Sequence, residues 1–320
     1  MARGAAKSPA LRRWAIRAGG SAVLLGALFW MLPRDAVLDG FARIPLHLFV
    51  LVMALFILGH VLSAAKWWNV LHRSLPFPVA LRAHFAGLAA NLCLPGAAGG
   101  DTVRAAVGYA HLRDFGVIGA AATADRLIDM VALASLTIAG LIVAGDRGAG
   151  WASTEVACGL ILLIALSAFY VFPWIVPQIW LRFPRLPGRV PAQNLAVGLA
   201  RLGRAPGLLL VNLVLSVGIQ AGFIWLNFLF ARVVGLEIPF AAWAFAWSLS
   251  KIISVLPVSL GGLGLREASL AALLAPFGAT PALVVTAGLA WQVVLFLTGG
   301  LGALVLFLSG ARLRPATPGE

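Results

Sequence analysis

Charge is scarce in this chain, and acidic charge is scarcest. Asp, Glu, Lys and Arg make up 11% of the 320 residues, with 11 acids against 24 bases, while 61% of the residues are hydrophobic. A mean hydropathy of +0.97 excludes a soluble domain with a polar surface. Two cysteines, Cys93 and Cys158, both in apolar stretches, are too few for a disulfide scaffold or a zinc cluster and read as packing residues. No glycine-rich loop ends in Gly-Lys-Ser or Gly-Lys-Thr, which excludes ATP hydrolysis by a P-loop. The five histidines, His47, His60, His72, His84 and His111, show no close metal spacing and read as packing or interface residues, with His84 on a membrane arm a weak exception. Neither a metal nor a cofactor is expected.

Long apolar runs are abundant. Segments near Trp14 to Leu32, Ile44 to Trp67, Phe115 to Val143, Val156 to Val176, Gly207 to Ala231 and Leu283 to Leu308 each approach the roughly 20 residues that cross a bilayer. The first follows Arg3, Lys7, Arg12 and Arg13 but leads into Pro33-Arg34-Asp35 and not a small-residue cleavage site, so it reads as a retained span. The expected fold is all-α: a single polytopic membrane domain over residues 1–320 with six full spans.

Two further segments, Val79 to Ala110 and Ile238 to Phe277, each carry one copy of an internal repeat. Leu94 to Ala106 reads LPGAAGGDTVRAA and Leu256 to Ala268 reads LPVSLGGLGLREA. Proline removes a backbone donor and glycine admits non-helical dihedrals, so Pro95, Gly99 and Gly100, and likewise Pro257, Gly261 and Gly262, are expected to interrupt helices within the bilayer. Both segments therefore read as broken, re-entrant helical hairpins. Three crossings separate them, and an odd number places them on opposite sides, as inverted repeats. Interrupted helices at corresponding positions of two halves point to a substrate site.

The placement of Lys and Arg orients the chain. Basic residues cluster before the first span, around Lys66, Arg73 and Arg82, between Arg182 and Arg204, and at Arg312 and Arg314. The opposite loops hold Arg34, Arg43, Arg147 and Arg232, balanced by acids. Both termini are accordingly expected on the cytoplasmic side. The net charge of +13 belongs to that membrane face and not to nucleic-acid binding.

Eight ionizable residues remain at membrane depth: Asp101, Arg104, Asp125, Arg126, Asp129, Lys251, Arg266 and Glu267. At roughly 2.5 to 3.5 kcal/mol each, they must pair or face water. Asp101 and Arg104, three apart, can meet on one helix face. Arg266 and Glu267, adjacent in sequence, are expected to point to different sides. A helix that restarts after each Gly-Gly turns free N–H groups toward the break, and an arginine nearby adds a fork of donors suited to a phosphate or other anionic headgroup. Asn91, Ser259 and Lys251 complete the candidate binding set with Asp101, Arg104, Arg266 and Glu267. Asp125 and Asp129, four apart with Arg126 beside them, form an ion-pair or proton-coupling group, with Lys251 and Arg104 as expected partners.

The blocks Asn91-Leu92-Cys93-Leu94-Pro95 through Gly100-Asp101 to Arg104, then Asp125-Arg126 with Asp129, then Leu256 to Glu267, resemble the flippase-like transmembrane domain of lysylphosphatidylglycerol synthases and its stand-alone members, over nearly the whole chain. The resemblance implies movement of a lipid with a charged headgroup, or of a polyprenyl-linked glycolipid, between leaflets. It also implies a bacterial cytoplasmic (inner) membrane location and membrane lipids as partners; homo-oligomerisation stays open. The chain is expected not to be an enzyme. An intramembrane aspartyl protease is the principal rival, with Asp101 and Asp125 sharing a proton, but it lacks the Gly-x-Gly-Asp context and has arginines beside its acids. A non-transporting partner subunit is the other rival, and it leaves the buried charges unexplained.

Overall fold

The computed structural model describes residues 34–93, 98–145, 151–254 and 264–308, and these contain helices and no strand. In chain order the helices are α1 (Arg34–Ala42), α2 (Leu46–Val70), α3 (Phe77–Cys93), α4 (Ala98–Leu112), α5 (Phe115–Ala144), α6 (Trp151–Tyr170), α7 (Phe172–Arg182), α8 (Arg189–Gly203), α9 (Pro206–Val233), α10 (Phe240–Ile253), α11 (Leu265–Leu274) and α12 (Pro281–Leu308). Among the described residues five helices are long and apolar enough to span a membrane: α2, α5, α6, α9 and α12. The expected first span, Trp14 to Leu32, lies outside the described residues.

Local chemistry sets several boundaries. Asp114 caps α5 by accepting from the Val117 N–H at 3.0 Å, and Gly145 closes it in a left-handed conformation with φ of 73°. The run expected to cross from Val156 to Val176 is instead divided at Val171: α6 ends at Tyr170, and α7 starts with Pro173 in its first turn and Pro177 inside it. Each proline removes a backbone donor, which favours a new helix start over one uninterrupted span.

The polarity of the molecule is that of a membrane protein. Val156, Leu160, Leu163 and Ile164 on α6, and Leu46, Val50 and Leu58 on α2, face outward, whereas Lys66, Arg104, Asp125, Arg266 and Glu267 are buried. Two apolar cores share α2. One gathers Phe56, Phe230, Trp243, Trp247, Leu270 and Trp291; the other gathers Trp67, Val70, Ile118, Ala124 and Leu199.

The two helical hairpins are α3/α4 and α10/α11, each with its two arms in contact. Each is followed by a long helix that packs on the other hairpin. α5, which follows the first, lies against α10, and α12, which follows the second, lies against α3. Both contacts depend on a glycine. A Cβ on Gly140 would sit 2.6 Å from the Phe245 nitrogen, and one on Gly302 would meet the Phe85 carbonyl oxygen. Gly140 and Gly302 are separated by the same number of residues as Leu94 and Leu256, so the repeat extends from the breaks into the packing.

The expected break positions Pro95, Pro257, Gly261 and Gly262, and Ser259 with them, lie outside the described residues. In the first hairpin the helix restarts at Ala98, earlier than expected, so Gly99 and Gly100 belong to the first turn of α4 and not to the break. Gly100 serves a helix contact: its N–H donates to Asn91 Oδ1 at 2.9 Å, and α3 approaches so closely that a Cβ on Gly87 would be 2.8 Å from the Gly100 oxygen. In the second hairpin Gly264 precedes α11 with φ of 79°, a conformation that favours glycine.

Candidate functional site

Most of the charged residues singled out in the sequence converge on one cavity of about 480 Å³, within the range of small-molecule sites. Asn91, Gly100, Asp101, Arg104, Asp125, Arg126, Asp129, Lys251 and Arg266 all line it; Glu267 stands behind Arg266.

The first charge group ties α2, α4, α5 and α9 together. Asp125, buried on α5, pairs with Arg104 Nη1 at 2.7 Å through one oxygen, and its other oxygen lies 3.0 Å from Lys66 Nζ. Lys66 also donates to Asp129, as does the Ser216 hydroxyl of α9. Arg126 donates from Nε to Asp101, whose other oxygen lies 3.3 Å from Arg104 Nη2. Three acids and three bases thus alternate, and the two aspartates that repel at i,i+4 spacing are bridged by a cation. Arg104 also stacks on Trp67, with its guanidinium carbon 5.1 Å from the ring centroid.

Lys66 corrects two expectations. It belongs to the buried set and not to an inner loop, because α2 continues a turn past it to Val70. It also takes the place expected of Lys251 beside Asp125 and Asp129. Nine Asp, Glu, Lys and Arg residues, not eight, therefore lie at depth among the described residues.

The second group joins the second hairpin to α12. Arg266 and Glu267 were expected on different sides of the helix, yet they pair: Arg266 Nε donates to Glu267 Oε1 at 3.1 Å. The long guanidinium folds back over the first turn, where Glu267 Oε2 also accepts from the Gly264 N–H at 2.8 Å. Arg266 further donates to Gln292 Oε1 at 3.1 Å and lies over Trp247, 5.3 Å from its centroid.

Lys251 stands apart. Its Nζ donates to Gln220 Oε1 of α9 at 2.7 Å and sits 5.8 Å from the Phe223 ring centroid. Among the described residues it has no carboxylate within 4 Å, unlike Lys66, Arg104 and Arg266. One wall of the same cavity is aromatic, formed by Phe56, Phe223, Trp247 and Trp291.

Sequence reasoning missed Lys66, Gln220, Gln292 and a contact between His60 and His84 at 3.0 Å. A signal for Gln220 was present: Asn212, Ser216 and Gln220 recur every four residues along one face of an apolar helix. Among the described residues no group of three or more His, Cys, Asp or Glu is placed to hold a metal.

The family described as lysylphosphatidylglycerol synthase TM region matches residues 16–302. No curated protein matches the chain.

Proposed function

The chain belongs to the lysylphosphatidylglycerol synthase transmembrane-region family, and from that premise we propose that it moves a lipid with an anionic headgroup, a phospholipid or a polyprenyl-linked glycolipid, between the leaflets of a bacterial cytoplasmic membrane. The observation that carries the proposal is Lys251, a half-buried cation with no carboxylate within 4 Å among the described residues, facing a cavity bounded by both hairpins. An uncompensated buried charge is costly, and an arriving phosphate oxygen supplies the missing partner. Arg266 and Arg104 border the same space with their charges already shared. They orient the headgroup, whereas Lys251 contributes the uncompensated charge.

The crossed packing of α5 on α10 and α12 on α3 supports a reading of the two halves as inverted repeats rocking about the cavity. In this reading acyl or prenyl chains stay in lipid while the headgroup crosses. The chain acts as a transporter and not as an enzyme: Arg104 lies between Asp101 and Asp125, and a cation there argues against two carboxylates sharing a catalytic proton.

Reconstitution tests the proposal. In vesicles carrying fluorescent phosphatidylglycerol or a labelled polyprenyl-phosphate glycolipid, Lys251→Gln should slow movement of the transported lipid about ten- to hundredfold, the loss of one charged hydrogen bond. The variant should keep the wild-type unfolding temperature. Wild-type rates from a folded Lys251→Gln protein would remove the headgroup assignment.

A further inference from the structure

Two histidines, His60 expected to pack and His84 a weak exception to that reading, meet inside the cavity. His60 Nδ1 on α2 and His84 Nε2 on α3 are 3.0 Å apart, a hydrogen bond between rings, and both residues line the site. Two neutral imidazoles so joined share one hydrogen. If His60 donates it, His60 Nε2 carries a lone pair and His84 Nδ1 a hydrogen; if His84 donates it, the outer roles reverse. In either tautomer the pair retains one outer lone pair. The outer nitrogens, His60 Nε2 and His84 Nδ1, are buried and have no hydrogen-bond partner among the described residues. No neighbouring carbonyl or carboxylate there fixes the tautomer.

The surroundings connect this pair to Lys251. The Phe223 ring lies 5.2 Å from the His60 ring and 5.8 Å from Lys251 Nζ, so one aromatic ring separates them. Phe56 meets His60 edge-on at 4.5 Å, and Phe85 lies beside His84. The charged groups that act on the pair are Lys66 of α2, Arg104 of α4, Asp125 of α5 and Lys251 of α10. Lys66 and Arg104 share Asp125, whereas Lys251 has no carboxylate. A proton added to the histidines places a second positive charge near Lys251. An anion docked on Lys251 removes most of that repulsion.

We propose that His60 and His84 form a proton-binding site that fills together with the anionic headgroup, so that the lipid moves with a proton. The proposal rests on the headgroup reading above. A proton taken up from solvent joins the outer lone pair and makes one ring an imidazolium; the shared hydrogen stays between the rings, and the added proton leaves when the headgroup leaves. Asp125 and Asp129, the coupling acids expected from the sequence, are held by Lys66 and Arg104, which leaves the histidines as the free acceptors.

The test uses the full chain in detergent, with phosphatidylglycerol and a polyprenyl phosphate as separate probes, each titrated between about pH 5.5 and 8. In weak buffer with an indicator dye, the wild type should take up about one proton per bound headgroup, and its affinity should tighten up to about tenfold for each unit the pH falls. His84→Gln and His60→Gln should bind without that pH dependence and take up no proton. Glutamine keeps a donor and an acceptor for the shared hydrogen bond, and if one variant unfolds the other carries the test. The probe that shows the linkage identifies the source of the phosphate. Binding by the wild type that is flat with pH, or proton uptake that survives both substitutions, overturns the coupling and leaves the headgroup reading in place. Failure of both probes to bind wild type and Lys251→Gln at every pH overturns the headgroup reading and the coupling with it.

Discussion

Lys66 shows how much one buried cation can hold together. It faces Asp125 and Asp129 on one helix and Ser216 on another, and its side chain is 3% exposed. Replacing it with Met leaves Asp129 without a cation and Asp125 with Arg104 alone, and breaking a buried pair in this way costs about 3 to 5 kcal/mol. Lys66→Met should therefore lower the unfolding temperature in detergent sharply, and Lys66→Met with Asp129→Asn should recover part of the loss. Penalties that simply add would mean the two residues are not coupled. The acids were legible in the sequence because a carboxylate in an apolar run is expensive enough to demand an explanation. Lys66 was not, because a lysine close to the end of a span also fits a loop on the basic side of the membrane. Gln220, Gln292 and the two histidines are uncharged or readily neutral, and such residues carry little signal in an apolar helix.

At the scale of helices, the corresponding glycines make the crossed contacts. Gly140 touches the backbone of α10 and Gly302 that of α3, and a side chain at either would push a long helix off the opposite hairpin. Leucine at either position should destabilise the protein by about 1 to 3 kcal/mol, as overpacking does. Gly159 on α6 is exposed, with nothing within 4 Å of its Cβ position, and Gly159→Leu should leave the unfolding temperature unchanged. Equal effects at all three glycines would mean that helix propensity, and not the crossed contact, governs them. The hairpins were visible in the sequence because Pro and paired Gly recur at one offset within apolar segments. The division of the fourth run was missed because mean hydropathy does not register Pro173, in the first turn of the new helix, or Pro177 inside it, and neither changes the apolar content much.

For the molecule as a whole, orientation follows from how charge is shared between its two ends. α9 crosses from a region containing Arg182, Arg185, Arg189, Arg201 and Arg204 to one where Arg232 is offset by Glu237. The arginine-rich end also carries exposed apolar side chains on α7 and α8, Trp174 at 69% and Leu181 at 73% among them. A basic surface interleaved with exposed tryptophan and leucine suits the headgroup region of an anionic leaflet, and on that reading this end is expected in the cytoplasm. Family membership supports a membrane location without orienting the chain, so the charge argument needs its own test. With Cys93 and Cys158 replaced by alanine, a single cysteine at Glu237 should react with an impermeant maleimide in intact cells. One at Arg185 should react only after permeabilisation. The reverse pattern would turn the molecule over and place its arginines against the outer leaflet, where the retention of basic residues in cytoplasmic loops would no longer account for the charge asymmetry.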